Sequence, residues 1–191
     1  MKSIAVLASG DGTNAENIIC YFEKSNTARV NLLIYNRKEA GVAKRAERLG
    51  VPAVYISKDD FADHTKVLNR LKEYNIELII LAGFLLLVPE YLLQAFPHRI
   101  LNIHPALLPL HSGRGMYGIR VHEDVIASGE KETGITIHFI DANFDQGEVL
   151  FQITCPVFPQ DTAADVAQRV HQLEYKYYPQ VIEAFSKTLN R

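Results

Sequence analysis

An excess of charge of either sign is missing from this sequence: 20 Lys and Arg stand against 22 Asp and Glu, for a formal net charge of −2 and a pI near 6.4. That balance excludes the basic footprint of a nucleic-acid binder, although a small anionic substrate needs only a local patch. Cysteine is scarce too. Cys20 and Cys155 lie in neither a CxxC nor a CxH pattern, which excludes a disulfide framework and leaves ordinary thiols in a reducing cytoplasm. No apolar run approaches the ~20 residues of a membrane span, and the run Ile4 to Ala8 after Met1-Lys2-Ser3 is too short for a signal-peptide core. The 7 histidines fit no HExxH or other tight ligand spacing, so no metal is expected. A G-x-S-x-G elbow and a cysteine nucleophile motif are absent, which favours direct attack by a substrate over a covalent acyl-enzyme. Repeats and low-complexity segments are absent as well.

What is present is a chain of 191 residues, 48 % apolar, enough for one domain over 1–191. Short apolar runs alternate with longer amphipathic stretches, the pattern of a mainly parallel sheet flanked by helices. Strands are expected at Ile4–Leu7, Val30–Tyr35, Ala53–Ile56, Glu77–Ala82 and Ile100–Ile103. Helices are expected at Thr13–Lys24, Gly41–Leu49, Phe61–Tyr74, Pro89–Phe96 and Tyr117–Ser128. Gly134–Ile140 and Glu148–Val157 alternate and are read as an antiparallel, hairpin-like edge. Thr162–Leu189 is a terminal helix, bent or broken near Pro179.

Ser9-Gly10-Asp11-Gly12-Thr13-Asn14-Ala15 joins the first strand to the first helix. Its glycines permit a tight turn, and the helix N-terminus offers N–H groups and a positive dipole end to an anion. The bland alternative is a turn with Thr13 as N-cap. The loop also fits G-x-G-x-x-A, but a dinucleotide site wants an acid about twenty positions on. That place reads Tyr35-Asn36-Arg37-Lys38. A single phosphate therefore suits the loop better, with the Asp11 carboxylate turned away.

Asn102-Ile103-His104-Pro105 ends a strand, where open α/β sheets bind ligands. Alternation sends Asn102 and His104 to one side and Ile103 to the other, and Pro105 keeps His104 extended. An amide can donate to a developing oxyanion, and an imidazole can move a proton between an attacking amine and a leaving nitrogen. Acyl transfer to an amine needs both. A carboxylate beside the ring would favour imidazolium, and Asp141 and Asp145 are the candidates. His138, on an apolar-alternating strand, is read as a satisfied core residue. Taken alone, His104 could equally be a hydrogen-bonded histidine without chemistry.

Several blocks together resemble one family: Ala8–Asn14, Leu81-Ala82-Gly83-Phe84, Leu101–Pro109, Gly134–Phe139 and Asp145-Gln146-Gly147. The chain is similar, over nearly its whole length, to the glycinamide ribonucleotide formyltransferases, folate-dependent enzymes of purine synthesis. The resemblance implies a Rossmann-like α/β fold and a catalytic trio of Asn102, His104 and Asp145, with Asp145 rather than Asp141 raising the His104 pKa and orienting its ring. It implies that Gly12, Thr13 and Asn14 hold a ribose 5'-phosphate and that His171 and Glu174 contact the ribonucleotide. Leu85, Leu86, Leu87 and Val88, with Asp141, Ala142, Asn143 and Phe144, would line the folate pocket. The implied substrates are 10-formyltetrahydrofolate and 5'-phosphoribosylglycinamide. Leu86 stands where some relatives carry Arg, His171 where some carry Gln, and the loop Leu110–Gly118 is longer than in some members.

No nucleic acid or membrane is expected as partner; a homodimer is allowed. The competing enzyme is a formyltetrahydrofolate hydrolase, which usually carries a further domain ahead of this one. A methionyl-tRNA formyltransferase would have a different first loop and an added RNA-binding domain. From other classes come an NADP-dependent oxidoreductase using the glycine loop and Arg37, and a non-catalytic nucleotide-binding module. Asn102, His104 and Asp145 weigh against the last.

Overall fold

The computed structural model describes residues 1–142 and 145–189. One seven-stranded sheet runs in the order β3-β2-β1-β4-β5-β6-β7. Its strands are β1 (Lys2–Ala8), β2 (Ala28–Tyr35), β3 (Ala53–Tyr55), β4 (Leu78–Leu81), β5 (Ile100–His104), β6 (Glu132–Phe139) and β7 (Val149–Pro156). The first five pair in parallel, while β6 pairs antiparallel with both β5 and β7. The central strands β1 and β4 are buried on both faces, as their unbroken apolar runs require.

Helices cover both faces. On one side, α1 (Thr13–Phe22), α2 (Val42–Arg48) and α7 (Ala163–Thr188) pack on Ile4, Val6, Ile80, Leu101, Ile103, Ile135 and Ile137. On the other, α3 (Lys58–Ala62), α4 (His64–Glu73) and α5 (Glu90–Ala95) pack on Leu7, Ile34, Ile79, Leu81 and Ile100. The helix α6 (Ile119–Ala127) lies against α7. After β1 the chain moves outward to β2 and β3, then returns to place β4 on the other side of β1. That reversal is the topological switch point, the place on such a sheet where open α/β folds bind their ligands.

Two elements differ from the sequence expectation. The single helix over Phe61–Tyr74 is two helices, broken at Asp63, which turns extended (φ −83°, ψ 102°) and whose carboxylate caps α4 by accepting from the Thr65 and Lys66 N–H groups. The helical periodicity runs through this point, but a capping Asp competes with the helix for its own backbone. Conversely, α7 is one 26-residue helix that passes through Pro179. A proline leaves the carbonyl four residues earlier without its donor. That carbonyl, on Tyr175, instead accepts from the Asn17 side-chain amide of α1 at 2.8 Å. In addition, Pro89 caps α5 rather than lying inside it.

Candidate active site

Three loops meet at the carboxyl ends of β1, β4 and β5. The first is the glycine loop. Gly12 caps α1 in the left-handed region (φ 77°), and a Cβ there would overlap the Val42 side chain. The residue is therefore glycine for both conformation and closeness. No side chain caps α1, so Thr13 is not the N-cap, and the first helical bond runs from Glu16 N–H to the Gly12 carbonyl. The N–H groups of Thr13, Asn14 and Ala15 lie ahead of that bond, at the positive end of the helix. Glu16 pairs with both Arg45 and Arg48 of α2, and Arg45 also donates to the Asp11 carbonyl. The two guanidiniums hold the Glu16 carboxyl below its usual range. The Asp11 carboxylate lies against Gly41, at the start of α2.

The loop after β4 is tied to this one. Ser9, buried, donates its N–H to the Gly83 carbonyl at 3.0 Å, and its hydroxyl accepts from the Leu85 N–H at 2.9 Å. Leu85 and Leu86 are half-buried, Leu87 is exposed and Val88 is buried in the core. Any contact from Val88 to a ligand is therefore through its backbone.

The third group sits where the sheet changes from parallel to antiparallel. Asn102 is paired with His138 and His104 with Thr136 in the β5–β6 register. Cross-strand partners share a face. All four side chains therefore lie opposite Leu101, Ile103, Ile135 and Ile137, which belong to the other core. The alternation argument for Asn102 and His104 holds. The sequence argument missed their two β6 partners, because alternation fixes the face of a strand but not which strand lies beside it or in what register.

The histidine tautomers follow from their partners. His138 Nδ1 faces the Phe139 carbonyl at 2.9 Å and donates to it, so its Nε2 accepts from the Asn102 amide at 3.0 Å. One Asn102 N–H remains for another acceptor. His104 Nε2 donates to the His111 carbonyl at 2.8 Å, which leaves Nδ1 facing Asp145, 3.6 Å from Oδ2. His138 is thus a satisfied core histidine, as the sequence suggested, and also the anchor of Asn102. Thr136, fully buried, donates to the Ala106 carbonyl at 2.7 Å and accepts from Leu108 N–H at 3.0 Å and from Gln152 at 2.8 Å. It fixes the loop that follows His104.

Burial holds His104 below the ordinary histidine pKa, against the opposing pull of the Asp145 charge and the hydrogen bond to His111. The sequence expectation that Asp145 raises this pKa gives the sign of one contribution; desolvation exceeds it. His138 is lowered for the same first reason. Asp145 is left-handed (φ 55°), and its Oδ2 accepts from Gly113 N–H at 3.2 Å. Asp141 and Ala142 lie just after β6, half-buried and exposed; Asn143 and Phe144 lie outside the described residues. Gly147 passes so close to the Phe139 carbonyl that any Cβ would overlap it.

The C-terminal helix adds one more cluster. Asn14 donates to Glu174 Oε2 at 2.9 Å, and His171 Nδ1 lies 3.4 Å from the same oxygen. Burial raises the Glu174 pKa, against His171 and Asn14. The structure thus brings Asn14, His171 and Glu174 together beside the α1 N-terminus, and Asn102, His104 and Asp145 together at β5. Among the described residues, no group of three His, Cys, Asp or Glu is placed to hold a metal.

A doubly wound sheet thus carries an anion-receptive helix end and an amide–imidazole–carboxylate cluster at the carboxyl ends of its strands. The chain belongs to the formyl transferase family, whose pattern matches residues 2–182. It is 40 % identical to the chloroplastic phosphoribosylglycinamide formyltransferase of Arabidopsis thaliana over 96 % of this chain and 65 % of that one. It is 35 % identical to the phosphoribosylglycinamide formyltransferase of Bacillus subtilis over 100 % and 98 % of the two chains. The chain spans 65 % and 60 % of the two chloroplastic relatives it matches, from Arabidopsis thaliana and Vigna unguiculata. The crystal structure of glycinamide ribonucleotide transformylase 1 from Symbiobacterium toebii superposes with a TM-score of 0.89 at 35 % identity, covering 98 % of this chain and 89 % of that one.

Proposed function

We propose that this chain transfers the formyl group of 10-formyltetrahydrofolate to the glycinamide amine of 5'-phosphoribosylglycinamide, in purine biosynthesis. One observation carries the proposal: His104 Nδ1 faces the Asp145 carboxylate at 3.6 Å while Nε2 is committed to the His111 carbonyl, and burial holds the ring below the ordinary histidine pKa. Such a ring is a base whose conjugate acid has a counter-charge waiting. The amine attacks the formyl carbon, and the new C–N bond pushes charge onto the formyl oxygen. The remaining N–H of Asn102 stabilises that oxyanion. His104 Nδ1 takes the amine proton, and the imidazolium is stabilised by Asp145. When the bond to the folate nitrogen breaks, the proton goes to that nitrogen and His104 returns to neutral.

The α1 N-terminus, with Gly12, Thr13 and Asn14, binds the 5'-phosphate, and backbone N–H groups do this because Arg45 and Arg48 are already paired with Glu16. Glu174 and His171 take the ribose side. The partly open apolar run Leu85 to Leu87 suits a flat heterocycle, and Asp141 and Ala142 close the far side. Among the described residues no helix is long and apolar enough to cross a membrane; a cytoplasmic location and one domain over 1–191 complete the proposal.

The test follows tetrahydrofolate release spectroscopically, with and without the ribonucleotide. Release is expected only with it, and His104→Ala and Asp145→Asn are expected to slow it by ~10²-fold or more. Release at an equal rate without the ribonucleotide would make the protein a hydrolase, and a wild-type rate in either variant would remove the mechanism.

A further inference from the structure

The contact that fixes His104 comes from a residue outside the family blocks. His111 follows Leu110 in the loop after β5, and its backbone is left-handed (φ 52°), uncommon for a residue with a Cβ. Its carbonyl accepts from His104 Nε2, and two residues on, Gly113 N–H donates to Asp145 Oδ2. One short turn therefore touches both members of the acid–base pair. The His111 ring is in turn held from α6: Nδ1 lies 2.6 Å from Asp124 Oδ2, with the ring 8 % exposed.

We propose that Asp124 and His111 are a positioning pair for the formyl-transfer centre: Asp124 anchors the His111 ring, the ring holds the turn, and the His111 carbonyl keeps His104 as the Nε2–H tautomer with Nδ1 toward Asp145. The proposal rests on His104 being the reacting imidazole. Without the anchor, nothing on α6 sets the direction of that carbonyl, and the His104 ring gains a second tautomer whose Nδ1–H cannot accept a proton. The groups that bear on His104 are Asp145, His111, His138 and the His122 ring of α6; those on His111 are Asp124 and, 4.0 Å from Nε2, Glu130. None of these but His111 accepts a hydrogen bond from His104 among the contacts described.

The experiment compares Asp124→Ala, Asp124→Asn, His111→Gly and His111→Asn with the wild type. Gly keeps the left-handed backbone and removes the ring; Asn tolerates that backbone and can still donate to Asp124. Asp124→Ala and His111→Gly are expected to lower kcat about 10-fold with both KM values within about twofold. The acidic limb of the kcat–pH profile is expected to move to lower pH, because the lost carbonyl acceptor favours the protonated ring. Asp124→Asn and His111→Asn recover most of the rate, and the Ala/Gly double variant is no slower than either single one. Ring ¹⁵N spectra should show one His104 tautomer in the wild type and a mixture in Asp124→Ala, a change that mere loosening of the surface would not produce. If Asp124→Ala does not fold, His111→Gly makes the same demand without altering α6. Unchanged kcat, pH limb and tautomer in the folded variants overturn the positioning pair. His104→Ala separates the two levels. Slow turnover there with silent Asp124 and His111 variants removes the pair alone, and wild-type turnover removes the base itself.

Discussion

Replacing Thr136 with Val removes one hydroxyl and almost no volume, at a position with no solvent exposure. Three hydrogen bonds end on that oxygen: one donated to Ala106, one accepted from Leu108 N–H and one accepted from Gln152. Gln152 keeps a second partner, the Leu108 carbonyl at 3.1 Å. The Ala106 carbonyl and Leu108 N–H lose theirs. A buried polar group without a partner costs about 1–3 kcal/mol, and the loop can shift to recover part of it, so a loss of about 2–3 kcal/mol is expected. The same strand supplies a control. Thr133 Oγ1 is buried with no hydrogen-bond partner, so Thr133→Val should be neutral or stabilising. Urea unfolding of both variants gives the two numbers, and tetrahydrofolate release gives the second consequence. The loop held by Thr136 begins one residue after His104, so Thr136→Val should lower kcat about 10-fold while Thr133→Val leaves it unchanged. A stability change under about 0.5 kcal/mol in Thr136→Val, or equal effects in the two variants, would refute the assignment.

Gly12→Ala forces a left-handed alanine against Val42; it should weaken ribonucleotide binding, read as a raised KM, and destabilise the fold by about 1–3 kcal/mol. His122, pushed down to about 4 by burial and by the nearby His171 and His104, should make the protein acid-sensitive. Its unfolded pKa is near 6.5, so the unfolded chain binds the extra proton and stability is complete above about pH 6.5 and falls as pH drops toward 4. Between pH 7.5 and 5 the wild type should lose about 2 kcal/mol more than His122→Leu, measured by urea unfolding; parallel losses would contradict the assignment. Asn17→Ala removes the donor to the Tyr175 carbonyl and should cost about 1 kcal/mol, but clearly less in a Pro179→Ala background, where a backbone N–H returns.

The alternation of apolar runs and helical stretches made the parallel sheet, its antiparallel edge and the order of elements legible from sequence, because burial on both faces leaves few other readings of Ile4–Ala8 or Leu78–Leu81. What periodicity does not report is who supplies a missing hydrogen bond. Pro179 reads as a helix break until Asn17, from a helix at the other end of the chain, turns out to satisfy the carbonyl that the proline orphans. Asp63 is the reverse case: its side chain satisfies the next helix's N–H groups so well that a continuous helical pattern is cut in two.

The site shows the same division. Asn102 and His104 were visible because strand alternation is a property of the backbone, and the glycine loop because positive φ has a residue signature. Their supports were not visible, because each depends on a pairing made elsewhere in the chain. The antiparallel register of β6 alone brings His138 to Asn102 and Thr136 to the loop after His104. A shift of that register by one residue would put Ile137 or Ile135 in their places and leave the Asn102 amide facing hydrocarbon. The change from parallel to antiparallel pairing beside β5 is therefore part of the chemistry. A parallel neighbour reaches β5 only through a crossover helix, whereas β6 runs back past His104 and ends at the loop that carries Asp145. The strand that orients Asn102 through His138 thus also leads toward the carboxylate that faces both rings, with Asp145 Oδ2 3.6 Å from His104 Nδ1 and Oδ1 3.7 Å from His138 Nε2.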